Sequence, residues 1–116
     1  MGIEYEVGIE LDAAIAAAYL PWLECHIGQM LALPGFVDAA VWRLDDPAPP
    51  SGRLALCVRY RLANSRALER YLADIAPAMR AEGLRHFGTQ VSFSRRVLKH
   101  WPRPLGACGD TAGDIA

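Results

Sequence analysis

Residues 3–11 read IEYEVGIEL. Ile3, Tyr5, Val7, Ile9 and Leu11 alternate strictly with Glu4, Glu6, Gly8 and Glu10. A period of two predicts a strand with one buried face and one polar face. Asp12 then stands where a helix N-cap belongs, ahead of an Ala-rich segment with high helix propensity. The stripe Ile15, Tyr19, Trp22, His26 and Met30 carries the helical period onward. Pro21 lies inside it and is expected to kink or divide the helix, because it removes a backbone donor. Leu33-Pro34-Gly35 ends the segment.

Phe36 to Leu44 reads as a second strand, followed by the turn-rich loop DDPAPPSG at 45–52. A third strand alternates Leu54, Leu56, Val58, Tyr60 and Leu62 with Arg53, Ala55, Cys57, Arg59 and Arg61. Asn64 or Ser65 can cap the next helix, whose stripe is Leu68, Tyr71, Leu72, Ile75 and Met79. Pro77 suits the first turn of a second helical piece, and Gly88 suits its stop. Thr89 to Leu98 reads as the fourth strand. The order β-α-β-β-α-β predicts an α+β, ferredoxin-like domain over residues 1–99. Its antiparallel sheet should run 4-1-3-2, with both helices on one face and a mobile tail over 100–116.

The chain has 116 residues, 53% apolar and 22% charged, which fits one ordinary domain that needs no metal or disulfide staple. Twelve Lys and Arg against thirteen Asp and Glu leave a net charge of −1, which argues against a nucleic-acid partner. No apolar run is long enough to span a membrane, and no secretion signal is read at Glu4 and Glu6. Cys25, Cys57 and Cys108 show no paired spacing and read as free thiols, so a cytoplasmic location is expected.

If the apolar sets of the first and third strands pack on the helices, the opposite sheet face is bare. It carries Glu4, Glu6, Glu10, Arg59 and Arg61, with either Arg95 or Arg96. Trp42, Ala55 and Cys57 lie on or near it. Two outcomes stand open. The face is solvated, with cross-strand ion pairs worth little each, or two such sheets face each other in a homodimer and enclose a mixed cavity.

The residues also carry a resemblance. YEVGIELD (5–12), WLECHIGQML (22–31), GFVDAA (35–40), YRLANSRALERYL (60–72), RHFG (85–88) and SRRVL (94–98) together resemble the domain-of-unknown-function 4286 family. The resemblance covers about residues 3–99. It implies membership of the dimeric α+β-barrel superfamily, which includes cofactor-free quinol monooxygenases, lactone isomerases, haem-degrading proteins and stress-responsive barrels. It implies a fold and a dimer, and it transfers no catalytic residue.

His26 is the leading titratable candidate. A neutral imidazole can act as a general base near pH 7, although a helix histidine can equally be scaffold. Trp22 and Tyr60, with Tyr71, could line a pocket for a planar ligand, or simply fill the core. Arg59 and Arg61 could hold a carboxylate or an enolate oxygen, or else pair with Glu4 and Glu6. Cys25 and His26 are adjacent and so point about 100° apart on a helix, and no further ligands stand at useful spacing. No metal or cofactor is therefore expected. GxGxxG, GxxxxGK[ST], HExxH and GxSxG are all lacking. Three readings remain: a barrel that binds a small apolar or aromatic ligand at the sheet, a cofactor-free monooxygenase or isomerase, and a purely structural dimerisation module.

Overall fold

In the computed structural model, which describes residues 2–103 and 106, the alternating stretch becomes the strand β1, Ile3–Asp12. A short 3₁₀ turn over Ala13–Ile15 leads into α1, Ala16–Leu31. Strands β2 (Phe36–Arg43) and β3 (Arg53–Leu62) follow, then α2 (Ser65–Asp74), α3 (Ala76–Phe87), a 3₁₀ turn over Gly88–Gln90 and β4 (Val91–Lys99). The sheet order is β2-β3-β1-β4, the expected 4-1-3-2 read from the other edge, and every neighbouring pair is antiparallel. Of the tail over 100–116, residues 104, 105 and 107–116 lie outside the described residues.

Register turns the alternation into two faces. Tyr5 stands opposite Tyr60, Val7 opposite Val58 and Ile9 opposite Leu56, so the apolar sets of β1 and β3 share one face. Tyr19, Leu23 and Met30 of α1, Leu68 and Tyr71 of α2 and Ala76 of α3 close over that face and form a single core with it. The second face carries Glu6 opposite Arg59 and Glu4 opposite Arg61.

Three details refine the sequence reading. Helix α1 runs through Pro21 undivided. Pro21 and Ala17 are both exposed, so water can satisfy the Ala17 carbonyl that proline leaves without its helical donor. Strand β2 ends at Arg43 and contains an irregularity between Phe36 and Asp38. Strand β4 begins at Val91, because Gly88–Gln90 forms a 3₁₀ turn instead of extending it.

Two expected local signals act as read. Asn64 caps α2 by accepting from the Ala67 amide at 2.9 Å, and Pro77 sits in the first turn of α3. Gly35 ends the α1–β2 connection at φ 84°, where a Cβ would also stand 2.3 Å from Ala67 Cβ. Among the described residues no helix is long and apolar enough to cross a membrane.

Candidate ligand cavity

Between the sheet and helices α1 and α3 lies a cavity of about 280 Å³. Its floor is the helix-side face of the sheet: Tyr5, Val7 and Ile9 of β1, Val58 and Tyr60 of β3, and Val91, Phe93 and Arg95 of β4. Its roof is Tyr19, Trp22, Leu23, His26 and Met30 of α1, with Met79, Arg80, Gly83 and Leu84 of α3. Leu84 and Phe93 are exposed, although both line the cavity, so they mark its rim.

Helical period places the α1 side chains. Tyr19, Trp22, Leu23 and His26 recur at three- and four-residue spacing and so share one side of the helix. The His26 ring stacks parallel on the Trp22 indole, with centroids 5.1 Å apart and planes 5° apart. Phe87 meets Tyr19 edge-on at 5.0 Å and Trp22 at 5.5 Å, which fixes this aromatic wall from the α3 side. Gly83 faces the same indole. A Cβ there would lie 3.4 Å from the tip of the Trp22 indole.

Burial sets the electrostatics of the wall. It pushes His26 below the ordinary imidazole value, so the ring is neutral at pH 7 and has a lone pair to offer. It pushes the Tyr19 hydroxyl up to about 12, and that hydroxyl is buried without a hydrogen-bond partner. Tyr60 is likewise raised by burial, and Tyr71 rises to about 12 for the same reason. The phenols therefore stay protonated, as donors and acceptors. Chemically, the wall can bind an apolar ring, hydrogen-bond a polar substituent and accept one proton at His26.

The sequence candidates divide between the two faces. Trp22, His26 and Tyr60 meet in the cavity, with Tyr71 beside them. Arg59 does not join them: it lies on the other face, where its Nε donates to Glu6 Oε1 at 2.9 Å. Arg61 is on that face too and pairs with Asp38 instead of Glu4. Register also decides between the two β4 arginines. Arg95 stands opposite Val7 and faces the cavity, whereas Arg96 stands opposite Glu6 and donates to its second oxygen. A cavity also lies beneath the helices, because α1 and α3 leave space above β1 and β4.

Sequence reasoning missed Arg80, Arg95, Tyr19 and Gly83 as cavity residues. A signal for Arg80 was present: it stands four residues after Ala76 and three before Gly83, both buried. The bare face has a wider and more open groove, lined by Glu6, Trp42, Cys57, Arg59, Ser94 and Arg96. Among the described residues, no group of three or more His, Cys, Asp or Glu is placed to hold a metal.

A profile of the family described as a domain of unknown function (DUF4286) matches residues 2–101. The chain belongs to this family. No curated protein shows significant sequence similarity to this DUF4286 chain. Among solved structures it is similar to a point variant of SnoaB, a cofactor-independent oxygenase from Streptomyces nogalater. That similarity has 15% identity and a TM-score of 0.62, covering 90% of this chain and 96% of SnoaB. HapK from Hahella chejuensis is similar at 14% identity and a TM-score of 0.60, covering 93% of this chain and 100% of HapK. The de novo designed protein Foldit4 is similar at 12% identity and a TM-score of 0.59, covering 87% and 100% of the two chains. An oxygenase and a designed sequence share the architecture, so these likenesses establish the fold and carry no activity.

Proposed function

We propose that this DUF4286 protein binds a small aromatic or apolar molecule in the cavity between its sheet and helices α1 and α3. The observation that carries the reading is the buried Tyr19 hydroxyl, which has no partner among the described residues in a mostly aromatic and aliphatic wall. An unmet buried hydroxyl costs on the order of 1–3 kcal/mol, and a polar substituent of a bound ligand would satisfy it. Ligand sites typically combine an apolar lining with a few converging polar groups, which here are Tyr19, His26 and Tyr60. Turnover without a cofactor, as in the cofactor-independent oxygenase SnoaB, is the stronger form of the same reading. In it the neutral His26 would take a proton from an acidic hydroxyl or C–H of the ligand.

The test is a titration with 1-naphthol, followed by tryptophan fluorescence. Saturable quenching is expected, and it should vanish in Trp22→Phe, which removes the reporter from the cavity wall. A linear response, or saturable quenching that survives in Trp22→Phe, would refute the site.

The uncovered sheet face supports a second reading, a homodimer. Trp42 is 61% exposed there, beside the Glu6, Arg59 and Arg96 cluster. Soluble monomers seldom present such a patch without using it.

A further inference from the structure

We infer that the ligand of this cavity is a carboxylate, with its ring among the aromatic side chains and its charged end at Arg80 and Arg95. This rests on the cavity reading above and names the ligand class. Arg80 comes from α3 and Arg95 from β4, and both are exposed, so the two guanidiniums stand at the cavity rim on its helix side and its sheet side. Among the described residues, no Asp or Glu lines this cavity.

Four other arginines of the sheet differ from these two, whereas Arg43 of β2, on the bare face, also has no carboxylate partner among the described residues. Arg53, Arg59, Arg61 and Arg96 each have a carboxylate partner: Glu10, Glu6, Asp38 and Glu6. Among the described residues Arg80 and Arg95 have none. Arg80 reaches only the Tyr5 hydroxyl, at 3.5 Å, and Arg95 lies over the Phe93 ring at 5.5 Å. Both guanidiniums also act on the Tyr71 hydroxyl, opposing the rise that burial imposes on it, so their fields converge at one place.

Two positive charges beside a low-dielectric wall attract an anion, and a planar guanidinium matches a carboxylate through paired N–H donors. The rest of the lining is largely apolar, with Tyr19, Trp22, Leu23 and Met30 along α1, so the complementary molecule is amphipathic: an aromatic or alicyclic ring bearing one carboxylate.

Matched titrations with 1-naphthoate and its neutral isostere 1-naphthamide test this. The acid should bind about tenfold tighter than the amide, and added salt should weaken the acid alone. Arg80→Gln and Arg95→Gln should each lower affinity for the acid about five- to tenfold while leaving the amide unchanged. Retained amide binding shows that each variant is folded. Equal affinity for acid and amide, or equal loss of both in the variants, would overturn the carboxylate assignment and leave the cavity reading standing. Saturable binding of neither compound would overturn the cavity reading itself.

Discussion

Glu6 shows how far one residue can depart from its neighbours in the same pattern. Glu4, Glu6 and Glu10 all alternate onto the bare face, yet only Glu6 is buried, at 6% exposure. It stands between Arg59 on β3 and Arg96 on β4, each holding one carboxylate oxygen. The Arg96 guanidinium, with Arg59 and against the cost of burial, holds the Glu6 carboxyl down at about 2, from an ordinary value of 4.5. Between those two values the unfolded chain binds the extra proton. Stability from this group therefore rises with pH across that window, is complete above about 4.5 and is lost as pH falls toward 2. Glu6→Gln should cost roughly 1–3 kcal/mol at pH 7, because it leaves two guanidiniums facing each other without their anion. It should also flatten the acid limb of stability. Urea melts across the window would measure both, and an unchanged limb would show that the Arg partners are solvated in solution.

At the scale of elements, the spacing between α1 and α3 governs the cavity. Gly83 is buried in the interior of α3, where glycine costs about 1 kcal/mol relative to alanine. The indole of Trp22 does not require it, since a Cβ would arrive at ordinary contact distance, 3.4 Å, from the ring. Gly83→Ala should therefore stabilise the fold by roughly 0.5–1 kcal/mol through helix propensity. Its methyl group should also weaken 1-naphthol binding by narrowing the space beside Trp22. A higher Tm with poorer binding is the expected pair of results. A lower Tm would mean that the indole cannot yield even to a methyl group. Much of this level was legible in the sequence: Asn64, Pro77 and the 3-to-4-residue stripes marked helix ends and inner faces. The passage of α1 through Pro21 was not legible, because it depends on Ala17 being solvent-exposed in the folded chain.

For the whole molecule, the sheet has one face closed by helices and one left open. Trp42 and the groove around Cys57 occupy the open face. If two such faces pack together, sedimentation at micromolar concentration should report twice the 12.7 kDa chain mass. Trp42→Arg should shift the protein toward monomer, since it removes the apolar anchor and adds a cation beside Arg43 and Arg59. A 12.7 kDa species for the wild-type chain throughout would rule out the dimer.

Periodicity, capping and turn residues were enough to place the elements, the sheet order and the two faces of each strand. Strict alternation at 3–11 and 53–62 admits one orientation, because a one-residue slip would turn every apolar side chain toward solvent. Which charged groups line the cavity was settled by packing. Arg95 and Arg96 are equivalent candidates until β4 takes its register against β1, and that register sends one to the cavity and the other to Glu6. Arg59 and Arg80 exchange roles for a similar reason: Arg59 meets a carboxylate across the strands, and Arg80 meets none across the helix–sheet gap. A cavity is the space left between elements. Its volume and charge depend on how elements sit relative to one another, and no periodicity within a single element records that.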